Sequence, residues 1–199
     1  MNDREWDKRL RIKTIGREDE ADPNYSPYEP TPYGVLQRVA ESGRILRRQR
    51  VLDYGCGKGR VAFFLADALG CRVTGIDHAQ KLIDLAIENR RTARGGDRVR
   101  LIRALAEQYI PREEDVFFFF NPFGEKVFEA VLRNIAVGWA ENPRPMTLML
   151  YYPSEAYIRC LEEEAGFTRL DIIDCRDLFG GKNERERVEV WKYEGDKTE

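Results

Sequence analysis

The chain has 199 residues, 42% hydrophobic and 34% charged, with 33 basic against 35 acidic side chains and a formal charge of -2. A chain of this length buries roughly 70% of its unfolded surface and needs no staples to fold, and its apolar fraction excludes a disordered polymer. The balanced charge ranks nucleic acid behind small molecules and proteins as a partner, because phosphate neutralisation draws on an excess of Lys and Arg.

The first twenty residues are densely charged, and Trp6, Leu10, Ile12 and Ile15 are spaced for a helix only loosely; a helix is assigned there. Acids and bases are mixed from the first residues on, unlike a signal peptide, and the longest apolar run is 116–120, so neither export nor membrane spanning is expected. Residues 22–33 contain four prolines and three tyrosines. Proline fixes φ and removes a backbone donor, so this stretch is expected to be an extended arm laid over the domain. After Pro32, the apolar positions Val35, Leu36, Val39, Ala40 and Ile45 predict a helix to about Arg48.

From residue 50 onward, short apolar runs alternate with helical stretches, the pattern of strands joined by crossover helices. Strands are expected near 50–54, 72–77, 99–103, 115–121, 146–151, 168–174 and 187–193, and helices starting near Gly59, Ala79, Glu125 and Ser154. The fold class is α/β, a three-layer, doubly wound, mostly parallel sheet with helices on both faces. Residues 1–199 are read as one domain, with 1–33 an N-terminal arm and 34–199 the core. Residues 116–120 lack alternation, as in a central strand covered on both faces. Residues 175–186 are too short for a crossover helix, so the last two strands should form an antiparallel hairpin. That loop, with Gly180, Gly181 and dense mixed charge, is either a substrate-recognition lid or a solvated turn.

Cys56, Cys71, Cys160 and Cys175 show no C-x-x-C pair or Cys/His cluster, so no metal site is expected, and they read as reduced thiols in a cytoplasm. Arg90, Arg91, Arg94, Arg98, Arg100 and Arg103 form either a local basic patch or a solvated face.

The chemistry is concentrated in Val51-Leu-Asp-Tyr-Gly-Cys-Gly-Lys-Gly-Arg60, a strand running through three alternate glycines into a helix. Such glycines let a backbone approach a ligand at the carboxyl edge of a sheet. The spacing is not G-x-G-x-x-G, and Asp53, two residues before the first glycine, would repel a pyrophosphate and welcome a cation. About twenty residues on, Asp77 ends the next strand, where a carboxylate accepts hydrogen bonds from ribose hydroxyls. His78 follows and either packs on a base or opens a helix.

The glycine segment resembles the nucleotide-binding loop of class I S-adenosylmethionine-dependent methyltransferases. That resemblance implies S-adenosyl-L-methionine as cofactor, a seven-stranded sheet of order 3-2-1-4-5-7-6 with the last strand antiparallel, and cofactor contacts from Asp53, Gly55, Cys56, Gly57, Gly59, Asp77 and His78. It also places Ala106 and Glu107 on the adenine, although Glu107 equally suits a helix start. Asn121-Pro-Phe123 is similar to the Asn-Pro-Pro-aromatic motif of amino-directed members with one proline missing. On that likeness Asn121 is expected to be catalytic and to touch cofactor, with Pro122 and Phe123 beside the substrate; alternatively Asn121 and Gly124 merely end the strand and cap the next helix. Tyr28-Glu-Pro-Thr-Pro-Tyr33 is similar to a segment that closes the site in some members, which nominates Thr31 for cofactor and Tyr28 and Tyr33 for substrate, unless the arm is held by its aromatics for structural reasons alone. The expected function is methyl transfer to a nitrogen on a small molecule or protein. The rival reading is a non-catalytic cofactor-binding module, and Asp53 disfavours a nicotinamide oxidoreductase.

Overall fold

The computed structural model describes residues 1–195. The chain opens with helix α1, Asp3–Leu10, started by a reciprocal cap in which Asn2 and Glu5 each accept the other's backbone N–H. It stops at Arg11, which adopts a left-handed backbone, so the expected helix covers only part of the first twenty residues. Residues 18–31 form the arm over the domain, but it is not extended throughout: a turn at 23–24 and an antiparallel bridge of Glu18 to Tyr28 close residues 18–28 into a loop. Helix α2, Tyr33–Glu41, begins after Pro32 and ends well short of Arg48, because Gly43 turns the chain left-handed (φ 68).

The core then alternates as read from the sequence: β1 Arg50–Tyr54, α3 Arg60–Leu69, β2 Arg72–Asp77, α4 Gln80–Arg90, β3 Val99–Arg103, β4 Val116–Phe119, α5 Glu125–Glu141, β5 Met146–Tyr151, α6 Glu155–Glu163, β6 Phe167–Asp174 and β7 Arg187–Tyr193. The seven strands form one sheet of order β3-β2-β1-β4-β5-β7-β6. β1 to β5 are parallel, and β7 runs antiparallel between β5 and β6. Among the described residues, no helix is long and apolar enough to cross a membrane.

β4 shows why the sheet is central. Its side chains alternate, Phe118 entering the layer under α2 and α3 and Phe117 and Phe119 entering the layer under α5 and α6; all three are fully buried. β4 is shorter than expected because Asn121 takes a left-handed backbone (φ 41) and turns the chain out of the sheet. The parallel order brings the carboxyl ends of β1, β2, β3, β4 and β5 to one edge, where the arm lies.

Candidate functional site

At that edge, the loop after β1 folds back on β2: the N–H groups of Gly55 and Cys56 both donate to the Ile76 carbonyl at 2.9 Å, and the Gly57 N–H donates to Asp77 Oδ2 at 2.9 Å. The glycines serve close approach. A Cβ on Gly57 would lie 2.2 Å from the Tyr28 ring, and one on Gly55 would lie 2.4 Å from Cβ of Pro122, so the arm and the β4 turn both close onto bare backbone. Gly59 packs on Phe63, and neither it nor Gly57 lines the cavity that this loop borders.

The cavity is narrow, about 60 Å³, and runs from Asp53, Cys56 and Arg60 at one end, past Asp77, to His78, Ala106 and Phe123 at the other, roofed by residues 25–31. Asp53 is buried and its Oδ2 has no hydrogen-bond partner among the described residues. Burial, with the Asp77 carboxylate nearby, pushes the Asp53 carboxyl well above the usual range. Arg60, on the first turn of α3, is also buried; it donates to Thr14 Oγ1 at 2.7 Å, Asp3 at 2.6 Å and the Thr31 carbonyl at 3.2 Å, while its Nη2 makes no hydrogen bond and lies 3.7 Å from Asp7. A buried carboxyl oxygen and a guanidinium nitrogen, both without a hydrogen bond among the described residues, thus belong to side chains that border the same cavity, and together they match an amino acid's ammonium and carboxylate.

Asp77 receives the Gly57 and Ala79 N–H groups, one on each oxygen, at 2.9 Å; burial raises its pKa and these bonds oppose the rise. The dual role, loop clamp and helix-start acceptor, leaves each oxygen a second lone pair toward the cavity, where two ribose hydroxyls can bind. Beyond it, Tyr25 of the arm stacks on His78 with ring centroids 3.8 Å apart and donates its hydroxyl to Glu107 at 2.7 Å. His78 also meets Glu20 at 3.0 Å. Tyr25 therefore stands between the two residues expected to face adenine. Ala106 lines the cavity, and the Glu107 carboxylate is held by the arm instead.

The residues expected on the acceptor side fall in different surroundings. The side chain of Asn121 faces the β5–α6 connection, its amide donating to the Tyr152 carbonyl and its oxygen accepting the Ser154 N–H at 3.1 Å, so it braces two strand ends and does not line the cofactor cavity. Pro122 and Phe123 line that cavity and not the pocket beside it. Tyr33 is fully buried against Trp6 and donates to Asp7 at 2.6 Å; it does not line the cavity, and the Arg60 guanidinium lies 4.3 Å over its ring. Tyr28 is buried, donates to the Thr14 carbonyl at 2.6 Å and covers Gly57, and Thr31 is buried in the cavity wall. The sequence reading missed Arg60 and Tyr25. In the sequence Arg60 only ends the glycine segment, and its partners Asp3, Thr14 and Thr31 are distant in the chain.

A second, open pocket of about 400 Å³ adjoins the first across Ser26, Pro27, Glu29 and Phe120, and is completed by Asn121, Tyr151, Tyr152 and Glu186. Tyr151 packs on Phe120 at 4.7 Å and donates to Glu186 at 2.7 Å. Asn121 and Tyr152, both left-handed without being glycine, sit at the ends of adjacent strands and shape this pocket at a cost of about 1 to 3 kcal/mol each. The 175–186 loop thus contributes Glu186 to the ligand edge.

Residues 51–137 match the family model described as a methyltransferase domain. A search of the curated proteins finds no match. Among solved structures, an RNA methyltransferase from Salinibacter ruber in complex with S-adenosyl-L-homocysteine is 17% identical over 86% of this chain and 96% of that chain, with a TM-score of 0.58. A TehB-like SAM-dependent methyltransferase from Corynebacterium glutamicum is 18% identical, covering 81% and 87%, at a TM-score of 0.57. TrmN from Thermus thermophilus is 26% identical over 79% of this chain, which spans about half of it (47%), at a TM-score of 0.58. With the strand order and the loop geometry, these matches identify a methyltransferase domain over residues 51–137 and the fold of the class I S-adenosylmethionine-dependent methyltransferases. Its cofactor is S-adenosyl-L-methionine. The residues present fit it: Asp53 for the ammonium, Arg60 for the carboxylate, Asp77 for the ribose, and the His78, Ala106 and Phe123 end of the cavity for the base.

Proposed function

We propose that the enzyme methylates a nitrogen of an aromatic or apolar amine, on a small molecule or a protein side chain. The observation that supports this reading is the pocket beside the cofactor cavity: its walls are Phe120, Tyr151 and Tyr152, and of its two carboxylates Glu29 is paired with Arg17 while Glu186 is held by the Tyr151 hydroxyl; Arg185 lies 4.1 Å over the Tyr152 ring, which leaves Phe120, Tyr151 and Glu186 for the acceptor. Aromatic faces and carboxylates together favour an ammonium over an anion or a neutral alcohol. The bound cofactor supplies an electrophilic methyl on a positively charged sulfur. The protein's part is to hold the acceptor in line and exclude water, worth about 7 to 11 kcal/mol in a well-oriented case.

An amine that arrives as an ammonium must lose a proton before its lone pair can attack. Glu186 is the group in the pocket that receives it, and Tyr151 holds that carboxylate in place. Burial and this hydrogen bond push the Tyr151 phenol up, so it remains the donor at neutral pH. Asn121 is a positioning residue that ties the ends of β4 and β5.

The test uses labelled S-adenosylmethionine with arylalkylamines and their matching alcohols. Amines should be methylated and alcohols not, and Glu186→Gln should lower kcat by about a hundredfold while leaving affinity for S-adenosylhomocysteine unchanged. Preferential methylation of the alcohols, or an unaffected Glu186→Gln enzyme, would sink this reading.

A further inference from the structure

The edge of the sheet opposite the cofactor carries a wide groove, about 1070 Å³, at the amino ends of β1, β2 and β3. Arg47 and Arg48 reach it from the turn before β1, Arg72 from the start of β2 and Arg100 from β3. Arg50 is opposed to Arg72 in register, and Arg90 and Arg98 close the far wall. The lining holds seven arginines and no lysine against three acids. Only three of the seven come from the cluster 90–103 that is visible in the sequence; the fold adds the other four.

The acids do not neutralise this surface. Glu113 is taken by Arg50, Glu114 is buried and accepts the Tyr109 hydroxyl at 3.0 Å, and Asp97 meets Arg98 at 3.5 Å. Arg90 donates to the Gly96 carbonyl at 3.1 Å, a helix-end contact of an ordinary kind. That leaves Arg47, Arg48, Arg72 and Arg100 exposed, with no hydrogen-bond or ion-pair partner among the described residues. Neighbouring strands lie about 4.8 Å apart, so strand-borne charges here form a continuous row, and like charges held together cost free energy that structure alone does not recover.

We infer that this groove binds the phosphodiester backbone of a nucleic acid. Guanidinium forks match phosphate oxygens in pairs, and an all-arginine set is the one suited to that geometry. A protein partner would need an apolar or aromatic anchor at its centre; the apolar lining consists of Val73 and Val99, both buried. A bilayer is flat, and this surface is concave. The inference does not depend on what accepts the methyl group, since the groove and the cofactor cavity lie at opposite ends of the same strands.

The experiment is fluorescence anisotropy with a labelled 20-residue oligouridylate and the matching oligothymidylate, titrated at several salt concentrations. Saturable binding is expected, with log K falling linearly in log salt; neutralising four phosphates of a single strand gives a slope of about -3. The triple variant Arg48→Gln, Arg72→Gln, Arg100→Gln should weaken binding by about tenfold or more and make the slope shallower by about two. Its calorimetric affinity for S-adenosylhomocysteine should match wild type, which also reports that it folds. Binding of either oligonucleotide supports the proposal, and the tighter of the two identifies the backbone. Absence of saturable binding at low salt, an unaffected triple variant, equal affinity for polyglutamate, or binding to phosphatidylserine vesicles in place of oligonucleotide would each overturn it.

Discussion

Asp53 shows how a single atom can report on a ligand. Its Oδ2 is buried and unpartnered among the described residues, and burial raises the carboxyl above the ordinary value of about 4. A carboxyl raised on folding contributes to stability fully below that ordinary value, and the contribution is lost as pH rises through the folded value. In the free protein the group keeps its proton through that window; a cationic ammonium favours the carboxylate, so binding expels a proton. Affinity for S-adenosylmethionine should therefore rise by up to about tenfold per pH unit until Asp53 ionises in the free protein. Calorimetry in buffers of different ionisation enthalpy reads the released proton, and Asp53→Asn should abolish both the slope and the release. Asp53 and Asp77 were legible in the sequence because each stands at a fixed place in a local pattern, Asp53 two residues before Gly55 and Asp77 at the carboxyl end of β2. Arg60 was not, since its three side-chain and carbonyl partners come from α1, the segment after it and the arm.

The arm is the element on which access depends. Its base is tied by the reciprocal backbone bonds of Glu18 and Tyr28, and its tip by Ser26, whose N–H and hydroxyl donate to the Pro122 and Asn121 carbonyls at 3.0 and 2.6 Å. Between them, Tyr25 fills the space between His78 and Glu107, which is why the cofactor cavity is so much smaller than the pocket beside it. Opening that end breaks one hydrogen bond to a charged group and one ring stack, about 2 kcal/mol together. Tyr25→Ala should accordingly speed association of S-adenosylhomocysteine by about tenfold in stopped-flow fluorescence; an unchanged rate would mean that Tyr25 does not gate entry. Proline and tyrosine density announced an arm over the domain. Which tyrosine faces the ligand followed only from the antiparallel bridge of Tyr25 to Phe123, while Tyr33, equally aromatic and only a few residues on, went into the core.

At the scale of the molecule, the sheet brings the carboxyl ends of five strands to the cofactor and the amino ends of three to the arginine groove. A ligand that binds only the folded state at a hundred times its dissociation constant adds about 2.7 kcal/mol of stability. For a chain of this size that corresponds to a rise in Tm of about 5 to 11 °C, and S-adenosylhomocysteine should produce it in a thermal scan where NAD does not. A rise with NAD as well would remove the distinction drawn from Asp53 and the glycine spacing.

Local patterning was enough to determine the strands, most helix starts, the glycine loop and the acids at Asp53 and Asp77, because each depends on residues that are neighbours in the chain. The hairpin of β6 and β7 was legible for the same reason: twelve residues cannot carry a crossover helix. Tertiary structure alone decided where side chains from separate segments meet. It turned Asn121 away from the cofactor to brace Tyr152 and Ser154, put Tyr25 against His78, set Arg60 among partners from the first thirty-one residues, and lined up Arg47, Arg48, Arg72 and Arg100 along one edge. Net charge, being a sum, hid that last arrangement. Electrostatic recognition depends on where the charges lie relative to one another, and only the folded chain specifies those distances.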